Sequence, residues 1–149
     1  MEIRKINFNT LFTDKNWPEI EKKYMEEGKP KHFPDPKTAY EYYAKMEQVG
    51  LSIVYGAYAE NDNLIGFMTV VTCIYPHYSV YMTNVESIFV LKEYRKYKTA
   101  FKLLNMAKKT AKELNAYGIV ITAAMGGPLE KILPLYKFEC THASWILKL

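Results

Sequence analysis

What the sequence lacks narrows its chemistry first. Glycine is sparse, 7 in 149 residues, and the stretch Leu91–Leu104, LKEYRKYKTAFKLL, holds none. No P-loop and no G-x-S-x-G is present, which removes the usual phosphate cradle and nucleophile elbow. Cysteine is rarer still: Cys73 and Cys140 form no C-x-x-C pair and no metal-ligand spacing. The N-terminal MEIRKINFNT carries no apolar signal region, so reduced thiols and a cytoplasmic location are the expectation. No apolar run approaches the ~18 residues of a membrane span. Charge of neither sign dominates: 20 basic and 16 acidic residues leave +4. That balance suits an anionic ligand but does not by itself argue for nucleic acid. The three histidines, His32, His77 and His142, are scattered, with no metal-ligand partner at helical or strand spacing.

What is present is a chain able to build a core, with 49% hydrophobic and 15% aromatic residues. Its length predicts one domain over residues 1–149. Partial alternation predicts a strand over Glu2–Phe8. Trp17-Pro18 opens a helix with acids in its first turn, and Gly28 closes it. The proline-rich KPKHFPDP then breaks the chain, and Asp35-Pro36 restarts a helix. In that helix Ala39, Tyr43, Met46 and Val49 fall near helical spacing, and Gly50 stops it. Strands follow at Ile53–Ala59, Leu64–Cys73 and Ser79–Val90, an antiparallel meander whose first hairpin turns at Glu-Asn-Asp-Asn. A helix over Thr99–Asn115 carries one apolar stripe through Leu103, Leu104, Ala107 and Ala111. Ile119–Thr122 reads as a buried parallel strand. A turn at Gly126-Gly127-Pro128, a short helix at Leu129–Tyr136 and a last strand at Ser144–Leu149 complete the pattern. The order is β-α-α-β-β-β-α-β-α-β, an α/β (α+β) chain whose fourth strand, third helix and fifth strand form a right-handed βαβ unit.

The cations Arg95, Lys96 and Lys98 fall where the fourth strand meets the third helix. A helix start leaves backbone N–H groups unpaired and carries a partial positive charge, so a diphosphate is a natural ligand there. A solvated, lysine-rich turn is the plainer reading of the same residues.

Val85–Leu104, VESIFVLKEYRKYKTAFKLL, resembles the acetyl-CoA signature of the GNAT acyltransferases, as does the order of elements across nearly the whole chain. Arg95 stands at that family's Arg/Gln position and Ala100 at its Gly/Ala position, while Lys98 replaces a glycine. Leu135-Tyr136-Lys137-Phe138 resembles its Tyr-x-x-x-Gly-Phe segment, shortened and without the glycine. The resemblance implies a mixed, mostly antiparallel sheet with helices on both faces. It also implies acetyl-CoA as co-substrate, no metal, and transfer of an acetyl group to a primary amine of a small molecule or a protein. It places backbone donors for pantetheine at a bulge through Phe89, Val90 and Leu91. It places the diphosphate on Arg95, Lys96, Tyr97, Lys98, Thr99 and Ala100.

Two side chains are candidates for the chemistry. Glu86 is an acid flanked by Val85, Ile88 and Phe89. Period 2 puts it on one face with Ile88 and Val90, where desolvation would raise its pKa into the range of a base. A lysine pair or a solvent-facing side chain is the other reading. Tyr136 matches the tyrosine that the resemblance implies as proton donor to the departing thiolate, although any one of 13 tyrosines is more often core. The acceptor would lie near the two N-terminal helices and the loop with His32, Phe33 and Asp35. A non-catalytic CoA- or partner-binding module on the same fold is the rival from another class. A basic nucleic-acid domain is a third reading, supported only by the lysines from Lys92 to Lys112. The sequence leaves the oligomeric state, a homodimer included, and the acceptor's identity open.

Overall fold

The computed structural model describes residues 1–28, 37–142, 144 and 147. The proline-rich segment with His32, Phe33 and Asp35, and most of the expected last strand at Ser144–Leu149, lie outside the described residues.

Strand β1 is Glu2–Ile6. The expectation of a strand through Phe8 is corrected: Asn7 accepts the Thr10 N–H at 2.7 Å and caps a short helix, α1, over Phe8–Phe12. Helices α2, Trp17–Gly28, and α3, Tyr40–Gln48, follow. The meander is β2 (Ser52–Tyr58), β3 (Leu64–Tyr75) and β4 (Val80–Val90). A 3₁₀ turn over Lys92–Tyr97 leads into α4, Thr99–Glu113. Strand β5 is Gly118–Ile121, and α5 is Pro128–Ile132, with a 3₁₀ turn at Pro134–Tyr136. The sheet order is β1-β2-β3-β4-β5, antiparallel except for the parallel β4–β5 pair. Mixed sheet, βαβ unit and helices on both faces match the sequence expectation.

The two faces are legible from the register. Tyr55 and Met68 are paired, and the Tyr55 hydroxyl meets Thr110 Oγ1 of α4 at 2.6 Å, so this face packs on α4. Thr110 in turn donates to the Met106 carbonyl, so Tyr55 supplies the other proton. Phe67 and Phe89 are also paired and point the other way. Trp17 and Tyr24 of α2 meet them edge-on, at centroid distances of 5.1 Å (Trp17–Phe67) and 5.9 Å (Tyr24–Phe89). Helices α1 and α3 join on this second face, where Phe8 stacks on Tyr43 at 5.0 Å. They are locked further by Glu47 of α3, whose carboxylate accepts the Phe8 N–H at 3.2 Å. The core between layers is continuous from Phe8, Leu11 and Ile20 through Val54, Met68 and Val70 to Leu103 and Ala107.

Gly66 is required by close approach. A Cβ there would sit 2.5 Å from the Phe89 carbonyl and 3.0 Å from Val90 Cα. β3 and β4 are held tight at the end of β4 where the site begins.

Candidate functional site

Three local features meet around the end of β4. The first is a bulge. Thr69 pairs with Ser87 but Val70 with Val85, so Glu86 is an extra residue with no partner on β3. The extra residue breaks the alternation, and Glu86 leaves the face of Ile88 and Val90. It turns instead toward α2 and α3, where its charge acts on Tyr24 and Tyr43. This corrects both the expected face of Glu86 and the expected position of the bulge, which lies at Glu86 rather than through Phe89, Val90 and Leu91. Glu86 is exposed rather than buried among its apolar sequence neighbours.

The second feature is an open edge. β4 pairs with β5 only from Met82 to Val85, opposite Gly118 to Ile121. β4 continues to Val90, so residues 86–90 have no β5 partner. Antiparallel ladders alternate between bonded and non-bonded pairs. The Leu91 N–H donates to the Ile65 carbonyl at 2.9 Å, which makes Leu91 and Phe89 bonded to β3. Ile88 and Val90 therefore turn their N–H groups to the open edge. Of the expected donors Phe89, Val90 and Leu91, only Val90 faces that way, and Ile88 joins it.

The third feature is the start of α4. Its N-cap, Lys98, makes no side-chain cap, and the first intrahelical bond runs from the Lys102 N–H to the Lys98 carbonyl. The N–H groups of Thr99, Ala100 and Phe101 are left for another acceptor. The Thr99 hydroxyl is buried and donates to the Tyr94 carbonyl at 2.9 Å, which ties the 3₁₀ turn to the helix. Lys98 is exposed at φ 57°, ψ 27°, so this lysine keeps the left-handed backbone of a glycine rather than a right-handed helical one. Its own N–H closes onto the Arg95 carbonyl at 3.3 Å. Lys137, in the second motif, repeats the device at φ 62°.

Arg95 does not reach this helix start. Its Nε donates to the Val90 carbonyl at 2.8 Å, Nη2 meets Glu27 of α2 at 2.6 Å, and its guanidinium lies 5.5 Å from the Phe89 ring. It clamps the end of β4 to α2. Lys92 adds a longer contact to Glu27, 3.7 Å. Lys96 and Tyr97 lie in the 3₁₀ turn, and Ala100 lies in the first turn of α4.

Tyr136 stands apart from Glu86. Its ring stacks on Phe101 of α4 at 4.5 Å and 13°, and Lys108 Nζ sits 4.7 Å over the ring. Partial burial raises its phenol above the ordinary value, so the hydroxyl is protonated at neutral pH. On the other side of the sheet, burial and then the Glu86 charge push Tyr24 up to about 12. Burial and then the Glu86 charge raise Tyr43 as well. Both phenols are neutral donors beside a carboxylate.

Sequence reasoning missed Tyr24, Tyr43 and Ser87. Tyr43 showed only as one member of a helical stripe, and neither other residue carried a signal. A concavity of about 350 Å³, lined by Met1, Ala59, Glu60, Asn61, Ile65 and Tyr94, holds none of the candidate residues. Among the described residues no group of three or more His, Cys, Asp and Glu could hold a metal, and no helix is long and apolar enough to cross a membrane.

The profile of the Acetyltransferase (GNAT) family matches residues 15–138. No curated protein sequence matches significantly. Similar solved structures include ribosomal-protein-alanine N-acetyltransferase from Brucella melitensis biovar Abortus 2308, 18% identical, with a TM-score of 0.71 and 100% of both chains covered. A predicted acetyltransferase from Clostridium acetobutylicum, solved with acetyl-CoA, is 17% identical with a TM-score of 0.75, covering 99% of this chain and 95% of that one. Aminoglycoside antibiotic 6'-N-acetyltransferase from Acinetobacter baumannii is 17% identical with a TM-score of 0.71, covering 99% and 97%.

Proposed function

From the premise that this chain belongs to the Acetyltransferase (GNAT) family, we propose that it moves an acetyl group from acetyl-CoA to a primary amine in the cytoplasm. One observation carries the reading: β4 parts from β5 beside an uncapped helix N-terminus, and a bulge presents an acid on the opposite face. The residues fit the co-substrate. Thr99, Ala100 and Phe101 offer N–H groups to the diphosphate, with Lys98 beside them and Lys96 on the preceding turn. Val90 and Ile88 offer N–H groups to the pantetheine arm and to the acetyl oxygen as charge develops on it. Arg95 fits as a clamp on β4 rather than as a phosphate ligand.

In this reading Glu86 takes a proton from the acceptor's ammonium. The freed amine attacks the acetyl carbonyl, a C–N bond forms, and the C–S bond breaks. The thiolate leaves with the Tyr136 proton, and the nitrogen, still carrying one proton too many after the attack, gives it up through water to the tyrosinate, which restores Tyr136. The relatives with aminoglycoside and ribosomal-protein acceptors support an amine as acceptor class. A second reading, a CoA-binding module without turnover, is favoured by lysines at both left-handed positions where the resemblance implies glycine.

The test is binding followed by turnover. Acetyl-CoA at ~100 times its dissociation constant should stabilise the protein by ~2.7 kcal/mol. Thiol release across a panel of small primary amines should then be lost in Glu86→Gln and fall at least ~10-fold in Tyr136→Phe. No thermal shift at millimolar acetyl-CoA removes the co-substrate. A shift with no turnover on any amine selects the binding module.

A further inference from the structure

A phenol is a poor acid for a thiolate. Its reference pKa is ~10 against ~8.5 for a cysteine-like thiol, so a proton passed from one to the other runs uphill. Partial burial of Tyr136 worsens the match, because it raises the phenol further. A donor in this place gains from anything that favours its ionised form, and a cation stands over its ring. Phe101 and Lys108 lie seven residues apart on α4, hence on one face and ~10.5 Å apart along the axis. The Tyr136 ring fills that gap. Phe101 covers one side of it, with centroids 4.5 Å apart and planes 13° from parallel. Lys108 Nζ therefore takes the other side, 4.7 Å from the ring centre. All three side chains are half-buried. Other charged groups on these elements are Lys112, one turn further along the same face of α4, and Lys131 and Lys137 beside the Tyr136 turn, all exposed. Glu130 of α5 accepts the Gly126 N–H, and Lys109 and Glu113 pair with each other at 3.8 Å.

We infer that Lys108 is a positioning residue for Tyr136: with Phe101 it fixes the ring, and its ammonium steadies the tyrosinate left when the O–H bond breaks and the departing thiolate takes the proton. The inference rests on the acetyl-transfer reading, in which Tyr136 is that donor. Lys108 gives up no proton itself. Its charge meets a neutral ring before transfer and an anion after it, so the contact strengthens as the chemistry proceeds. Half-burial of both side chains keeps water from screening that gain fully. The tyrosinate lasts until the proton from the acceptor nitrogen returns to it.

The test has two arms. The first needs no acceptor. Tyrosines labelled with ¹³C at Cζ are titrated, with the Tyr136 signal assigned by its loss in Tyr136→Phe. Lys108→Met keeps an apolar stem against the ring and removes the charge, so the Tyr136 midpoint should rise by about half to one pH unit. Lys108→Arg keeps its charge throughout the titration, so its midpoint should lie at or below that of wild type. A midpoint unchanged in Lys108→Met overturns the inference. The second arm follows turnover on the best amine of the panel. Lys108→Met should lower kcat about 3–10-fold with KM for acetyl-CoA unchanged, and Lys108→Arg should restore most of it. In a Tyr136→Phe background Lys108→Met should cost nothing further. An equal loss in that background places the action of Lys108 elsewhere and overturns the inference. Full kcat in Lys108→Met beside a loss in Tyr136→Phe overturns the positioning role and leaves the donor standing. Full kcat in Tyr136→Phe, or no turnover by the wild type, overturns the donor, and the inference falls with it.

Discussion

Replacing Lys98 by glycine tests whether the joint before α4 stores strain. Lys98 sits at φ 57°, ψ 27°, with its N–H bonded to Arg95 and its carbonyl starting the helix. A side chain in the left-handed region costs ~1–2 kcal/mol, from the approach of Cβ to the following carbonyl. Glycine removes that cost but loses ~0.5–1 kcal/mol more chain entropy on folding. The difference is a gain of about 0.5–1 kcal/mol, or roughly 1–4 °C in melting temperature at this chain length. Lys98→Ala is the control, because it keeps Cβ and the strain while deleting the ammonium. Urea and thermal melts should rank Lys98→Gly above wild type, with Lys98→Ala level with or below it. Calorimetry with acetyl-CoA reads the other role of the residue. An exposed, charge-assisted contact is worth ~1 kcal/mol, so both variants should bind about 3–10-fold more weakly. A Lys98→Gly protein no more stable than Lys98→Ala would refute the strain argument. Acetyl-CoA affinity untouched in both would take the diphosphate away from Lys98.

Gly66→Ala should cost ~1–3 kcal/mol in urea melts, because the new Cβ meets backbone, the Phe89 carbonyl, which no rotamer change can move aside. Arg95→Glu should cost roughly 1–2 kcal/mol by setting a second carboxylate against Glu27, and adding Glu27→Arg should recover part of it. If Arg95→Glu melts like wild type, the clamp between β4 and α2 is not a stabilising contact. Tyr24 carries a pH signature. Its folded pKa is raised above the unfolded value of ~10, so its contribution is whole below pH ~10 and is lost as pH rises through about 12. Unfolding free energy should therefore fall with pH above ~10 in wild type and fall less steeply in Tyr24→Phe.

The sequence alone determined what is periodic and local. The stripe through Leu103, Leu104, Ala107 and Ala111 declared α4 and its buried face. The β-branched runs declared the meander, and the apolar Ile119–Thr122 declared the parallel strand, because such patterns are set by residues close in the chain. The motif around Arg95 to Ala100 located the strand–helix joint. Tertiary structure decided what depends on pairing. Glu86 changed face because of one unpaired residue in the β3–β4 register, and no periodicity within β4 alone contains that information. Phe89 and Leu91 lost their N–H groups to β3 by the phase of the same ladder, while Val90 and Ile88 kept theirs for the open edge. Arg95 found Glu27, 68 positions away. The left-handed backbone of Lys98 was equally hidden, since a lysine there contradicts its own preference and is held by the turn and helix on either side. Local sequence sets which elements form and which face is apolar; register and long-range contact set which polar group meets which, and the chemistry of the site lies in those meetings.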